Sequence, residues 1–155
     1  MNTIGFEILP ATQQDAEAIS LLINGLSQHF TQDPQGKGAE AFLQTLSPIS
    51  IRALIGAPNM LYCKAVVNDR LAGVVALRDH MHLFHLFVDP AFQNQGLGRQ
   101  LWLHAKATAL ASGHAGGFTV NATLYAVPVY ERFGFCATGA RVDKNGISFV
   151  PMCSN

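Results

Sequence analysis

Apolar positions along this chain recur at two periods, and the points where the period changes mark its elements. Ile4 to Leu9 reads as a short strand stopped by Pro10. Thr12 and Asp15 follow at capping-box spacing. Ile19, Leu22, Ile23, Leu26 and Phe30 then fall at i, i+3, i+4, i+7 and i+11, the stripe of one helix packed on a sheet. Thr31 to Gly38 reads as loop, and a less regular helical region covers Glu40 to Leu46 and resumes from Ile49 to Ile55 after Pro48.

The period then shortens to two. Leu61 to Val67 and Leu71 to Leu77 are β-branched-rich strands joined at Asn68-Asp69-Arg70, and His82 to Val88 is apolar on both faces, as a covered central strand is. Asp89-Pro90 ends it. A helix is predicted from Gly96 to about Ser112, a strand over Phe118 to Asn121 and a helix over Leu124 to Phe133. Phe135 to Val142 and Ile147 to Met152 complete the series as a closing hairpin. The order specifies an α/β (α+β) fold: a mixed central sheet of six to seven strands flanked by about four helices, in one domain over residues 1–155.

Composition narrows the classes that fit. With 49% hydrophobic and 13% charged residues, the chain has the means to bury a core without metal or disulfide staples. Ten basic residues balance ten acidic ones, and no basic cluster supplies the footprint that nucleic acid requires. Near-zero charge on an apolar surface favours self-association, so a homodimer is an expectation. Cys63, Cys136 and Cys153 are odd in number and lack CxxC spacing, which argues against a disulfide framework or a zinc site and points to the cytoplasm. The first residues lack a basic n-region and apolar h-region, and no apolar run reaches the roughly 20 residues of a membrane span.

The most informative segment runs from Leu83 to Arg99. A strand leads through Asp89-Pro90-Ala91-Phe92 into Gln93-Asn94-Gln95-Gly96-Leu97-Gly98-Arg99 and the start of a helix. Gly96 and Gly98 permit close backbone approach, and successive N–H groups converge with the positive end of the helix, an arrangement suited to a pyrophosphate. Neither a G-x-G-x-x-G dinucleotide fingerprint nor a G-x-x-x-x-G-K-[ST] loop fits, because Arg99-Gln100-Leu101 follows Gly98.

Gln93-x-x-Gly96-x-Gly98 after Leu86-Phe87-Val88-Asp89-Pro90 resembles the acetyl-CoA loop of the GNAT superfamily of N-acetyltransferases. Val120-Asn121-Ala122-Thr123, Ala126 and Val129-Tyr130-Glu131-Arg132-Phe133-Gly134-Phe135 resemble that family's later strand–helix block. The resemblance implies a sheet splayed between its fourth and fifth strands, His82–Val88 and Phe118–Asn121, with the cofactor's pantetheine arm in the gap. Backbone groups of Leu86, Phe87 and Val88 would bind the arm, and amides from Gln93 through Arg99, including Asn94, Gln95, Gly96, Leu97 and Gly98, would hold the pyrophosphate. The Arg99 side chain is either a phosphate partner or a solvated surface residue. Asn121 either reaches the arm or satisfies a turn, and Ala126 lies beside it.

For chemistry, the resemblance places Tyr130 near the cofactor sulfur, where a phenol of pKa about 10 can protonate a thiolate of pKa about 8.5. Counting back from the glycines places His82 where one branch of the family carries a glutamate base; His82 or a water chain would remove the amine's proton. Strand alternation sets His80 and His82 on one face and His85 on the other, which argues against a metal triad. Cys136 has no nearby base and reads as a core residue rather than a nucleophile. The expected partners are acetyl-CoA and an amine acceptor, held by residues 29–41 and the closing hairpin near Arg141 to Ser148. A silent acetyl-CoA-binding sensor and a pure interaction protein are the alternatives. A small-molecule amine is preferred over a protein lysine or N-terminus.

Overall fold

The computed structural model describes residues 5–155, so Ile4 of the first expected strand lies outside the described residues. The strands are β1 (Glu7–Pro10), β2 (Met60–Val67), β3 (Arg70–Arg78), β4 (His82–Val88), β5 (Phe118–Thr123), β6 (Cys136–Ala137), β7 (Val142–Lys144) and β8 (Ile147–Ser154). The helices are α1 (Ala16–Asn24), α2 (Glu40–Gln44), α3 (Pro48–Gly56), α4 (Leu97–Ala111) and α5 (Val127–Arg132). All eight strands form one sheet in the order β1-β2-β3-β4-β5-β8-β6, with β7 also on β8. The pair β4–β5 is parallel and its neighbours antiparallel, the mixed sheet expected.

Several boundaries differ from the sequence reading, each for a local reason. The first helix ends at Gly25 rather than Phe30, and a 3-10 turn at Ser27–His29 replaces its last turn; Leu26 and Phe30 remain buried in line with Ile19 and Ile23. Helix α3 includes Pro48, because Ser47 caps it by accepting the Ser50 amide at 3.2 Å and proline at the first position gives up no hydrogen bond. Helix α5 starts at Val127 because Thr123 closes a turn with the Ala126 amide. The closing hairpin is interrupted at residues 138–141. Thr138 N–H donates to the Pro151 carbonyl at 2.8 Å, but Pro151 has no N–H to return, and β6 stops after two residues. Cys136, read as a core residue, is instead exposed on this edge strand, opposite Cys153 of β8.

Two cores lie on the two faces. On one, α4 packs Leu101, Trp102 and Ala105 against Val75 and Leu77 of β3, with Phe118 and Phe135 edge-on or tilted to the Trp102 ring. On the other, Ile19, Ile23 and Ile51 of α1 and α3 cover Val74, Ala76 and Tyr62. Strand β3 is buried from Ala72 to Leu77 and is the common wall of both. Gly73 allows this closeness: a Cβ there would stand 2.8 Å from the Phe87 carbonyl oxygen and 3.0 Å from Leu101 Cδ1.

The β3–β4 register contains a bulge. Ala76 faces His85 while Leu77 faces Leu83, so Phe84 is an extra residue. It places Phe84 and His85 on the same face, toward α1 and α3, where their rings lie 4.7 Å apart; His82 meets the Phe84 ring at 6.5 Å. Strict alternation put His85 on the face opposite His82, and the bulge removes that separation. The His85 ring is buried, its Nδ1 is 2.9 Å from the Tyr62 hydroxyl, and burial lowers its pKa to about 3.

This histidine sets a pH dependence. In the unfolded chain it gains a proton below about pH 6.5, whereas the folded protein resists protonation down to about pH 3, so the unfolded state binds more protons across that window. Stability is therefore complete above about pH 6.5 and falls as pH drops. The slope from this group is roughly 1 kcal/mol per pH unit. Denaturant melts at pH 7 and pH 5 should differ by about 1–2 kcal/mol, and the double variant Tyr62→Phe with His85→Phe should flatten that difference.

Candidate active site

Pairing between β4 and β5 is confined to His82↔Thr119 and Leu83↔Val120. It ends at the bulge, where the added twist turns β4 away. Beyond that point β4 pairs only with β3. Asp89 N–H donates to the Ala72 carbonyl, so the antiparallel ladder commits Phe87 and His85 to β3 and turns the backbone groups of Leu86 and Val88 toward the gap. Gln93 Nε2 donates to the Val88 carbonyl at 2.8 Å and ends the strand.

The gap opens into a cleft of about 450 Å³. Its α4–α5 side is formed by Leu86, Val88, Asn94, Gly96, Leu97, Gly98 and Arg99, with Asn121, Ala126 and Tyr130 across from them. Among the described residues, no acceptor receives the backbone N–H groups of Asn94 through Arg99. Asn94 and Gly96 have φ of 62° and 81°, which turns successive amides inward, and Gly96 is the N-cap of α4. Six unpartnered amides at a helix N-terminus are an arrangement suited to receive an anion. The requirement for glycine differs at the two positions. At Gly96 a Cβ would meet nothing within 4 Å, so only its left-handed backbone demands glycine; at Gly98, in the first helical turn, a Cβ would make ordinary contact with Val88 Cγ2 at 3.6 Å.

Of the residues singled out from sequence, Leu86, Phe87, Val88, Gln93, Asn94, Gly96, Leu97, Gly98, Arg99, Asn121, Ala126 and Tyr130 line this one cleft. Gln95 does not; its side chain points back to the Ala91 carbonyl at 3.4 Å. His82 also stands outside the lining, half-buried at the foot of the gap with Nδ1 2.7 Å from Thr119 Oγ1. Burial, and then the nearby Arg78 charge, hold its pKa below the ordinary imidazole value. Tyr130 is buried with its ring against Phe133 and Phe135, and burial pushes its phenol well above the usual value. Its hydroxyl has no hydrogen-bond partner among the described residues.

Other lining residues were not legible in the sequence. On the α1–α3 side, beside the Phe87 already named, stand Leu26, Phe30 and Phe84, and His29 stacks on Tyr125 with ring centroids 4.5 Å apart. His29 and Tyr125 are 96 positions apart in the chain (125 minus 29), and no local pattern announces their meeting. Arg132 lines the cleft from the end of α5.

A sheet parted between two parallel strands, with free strand-edge groups and an amide-lined anion site at the next helix, is built for a long cofactor carrying a phosphate group. The family model described as Acetyltransferase (GNAT) domain matches residues 30–154, and the chain belongs to that family. It is thus an acetyl-CoA-dependent acyltransferase. No curated protein matches the chain in sequence. Among solved structures, a GCN5-related N-acetyltransferase described as Aminotransferase, Class-II, from Rhodopseudomonas palustris superposes with a TM-score of 0.77. It is 21% identical, over 99% of this chain and 96% of that one. The PaiA N-acetyltransferase from Thermoplasma acidophilum, in complex with coenzyme A, has a TM-score of 0.76 and 17% identity, over 97% and 99%. The ribosomal-protein-S18-alanine N-acetyltransferase from Escherichia coli has a TM-score of 0.71 and 19% identity, over 97% and 93%. These likenesses establish the fold. No helix among the described residues is long and apolar enough to cross a membrane.

Gly96→Val tests the anion site. Forcing a β-branched residue into the left-handed region costs about 1–3 kcal/mol, which the loop relieves by turning its amides away. Acetyl-CoA affinity by calorimetry should fall about tenfold or more, while the far-UV spectrum and thermal midpoint stay near those of the parent.

Proposed function

We propose that the protein transfers the acetyl group of acetyl-CoA to a primary amine by direct attack within a ternary complex, with Tyr130 protonating the departing thiolate. The observation that carries this reading is Tyr130: its ring is buried, its hydroxyl has no protein partner among the described residues, and it lines the same cleft as the free amides of the α4 loop. A phenol that burial keeps protonated presents its O–H to the departing sulfur throughout the ordinary pH range.

In this reading the pyrophosphate sits on the amides of Asn94 to Arg99, and the pantetheine arm lies along the edge of β4. The Leu86 and Val88 backbone groups would pair with its amides as an added strand would. Arg99 at the rim and Arg132 at the end of α5 supply positive charge toward the phosphates. Asn121, exposed on the facing edge of β5, would hydrogen-bond the arm, and Ala126 would pack on it. The Gln95 side chain has no part; its backbone amide contributes to the anion site.

Attack forms the C–N bond and expels the thiolate, and the nitrogen then loses a proton. His82, tethered through Nδ1 to Thr119 and standing outside the cleft, would receive that proton through water rather than by contact. Its depressed pKa keeps it neutral and able to accept a proton at pH 7.

Tyr130→Phe separates transfer from binding. Because no hydrogen bond in the protein is lost, folding and acetyl-CoA affinity should remain within about twofold, while kcat falls by about 10²-fold. Undiminished turnover would remove Tyr130 from the mechanism, and unimpaired acetyl-CoA binding without turnover of any amine by the parent chain would favour a sensor.

A further inference from the structure

The cleft passes through the sheet, and its two ends differ in chemistry. The cofactor's anion site lies on the α4–α5 side, so the acceptor must approach the thioester from the α1–α3 side. There the walls are Leu26, Phe30, Phe84, Phe87 and the His29–Tyr125 stack. Among the described residues, no Asp or Glu lines any part of the cleft.

The segments beside this end do carry carboxylates, but each is hydrogen-bonded within its own segment and none of them lines the cleft. Asp33 Oδ2 accepts the amides of Gln35 and Lys37 at 3.0 and 2.9 Å. Glu40 accepts the Gly38 amide at 3.1 Å. In the β7–β8 hairpin, Asp143 Oδ1 accepts from Arg141 Nε at 2.8 Å and from Ser148 Oγ at 2.6 Å. The hairpin and the 31–39 loop are also locked to each other, since Gln32 N–H donates to the Gly146 carbonyl at 2.8 Å and Gln32 Nε2 to Ser148 Oγ at 3.0 Å. Inside this end of the cleft an incoming ammonium would meet apolar and aromatic side chains and, among the described residues, no lining carboxylate to replace its water.

We infer that the acceptor is a primary amine of low basicity carried on an apolar body, the chemistry of the α-amine of an apolar aminoacyl amide, rather than a polyamine or a lysine side chain. The inference rests on the transferase reading above. A site that excludes the cation binds only the neutral amine. At pH 7.5 roughly a third of an α-amine of pKa 7.7–8.0 is neutral, against about one part in a thousand of an ε-amine of pKa 10.4. The wall then selects by area: Phe30, Phe84 and Phe87 reward an apolar side chain and give a hydrated polycation nothing to pair with.

The test compares phenylalaninamide, a tripeptide beginning with phenylalanine, Nα-acetyl-lysinamide and spermidine on the purified chain with saturating acetyl-CoA, acetylated product being read by mass spectrometry. One of the two phenylalanyl α-amines should exceed the two cationic acceptors in kcat/KM by about tenfold or more at pH 7.5, and its rate should climb with pH until the amine is neutral. The amide and tripeptide arms distinguish a free small molecule from a chain terminus. Tyr125→Glu, at an exposed position of the mouth, should move the preference toward spermidine by about tenfold while acetyl-CoA affinity is retained. Calorimetry of the same amines against the CoA-bound protein gives a readout without turnover. Tighter binding of the phenylalanyl amines supports the inference; tighter binding of spermidine, or binding of none at millimolar concentration, overturns it. Failure of the parent chain to bind acetyl-CoA would instead overturn the transferase reading beneath it.

Discussion

The single extra residue in β4 governs the rest of the molecule. Parallel strands in a covered sheet ordinarily pair along their length, because unpaired buried N–H and C=O groups are costly. Here pairing between β4 and β5 stops after Leu83, and Phe84, the bulged residue, is the next in the chain. The bend opens a seam in the middle of an otherwise continuous sheet. It leaves the main chain of Leu86 and Val88 without a strand partner on one side, except that Gln93 satisfies the Val88 carbonyl. A gap of this kind is a standing demand for hydrogen-bonding groups of strand-like spacing, which is what the arm of an amide-containing cofactor offers.

Holding the seam open requires stiff walls. Strand β3 supplies them, buried on both faces from Ala72 to Leu77 and drawn against Phe87 and Leu101 at Gly73, where no side chain intervenes. Because α4 is seated on the same strand, the loop before it cannot drift relative to β4, and six amides keep their common aim. On the opposite face His85 and Tyr62 form a neutral hydrogen-bonded pair behind Phe84 and Phe87. A charged histidine there would draw water toward the apolar wall; burial that keeps it neutral keeps the wall dry.

Legibility in the sequence followed the range of the interactions. The Gln93-x-x-Gly96-x-Gly98 loop, the covered strand before it and the helix after it are local chemistry, and they stand where the spacing placed them. Tyr130 and Asn121, carried by a second local block, line the same cleft. What escaped notice was non-local. Residues Leu26 and Phe30 kept the burial that periodicity assigned, although the helix meant to carry them ends at Gly25. The bulge that brings His85 to the face of His82 leaves no mark in a run that is apolar on both faces, since every residue of it is acceptable on either side. Cys136 was assigned to the core because no base stands near it in the sequence, whereas it lies on the two-residue edge strand β6, opposite Cys153, and is exposed there.

The neutral total charge of the chain conceals an uneven cleft. Arg99, Arg132 and the free amides at the start of α4 give it positive potential, and among the described residues no carboxylate opposes them within it. On the transferase reading, that potential serves the cofactor. It attracts phosphate oxygens directly, and once these are bound it is the apolar wall, through desolvation, that disfavours the protonated form of an amine brought near the thioester. Part of the work of a general base is then done by desolvation before the nitrogen attacks. The proton released after attack is the one left to move, and a neutral His82 beside Thr119, reached through water, suffices for it even though it never touches the acceptor.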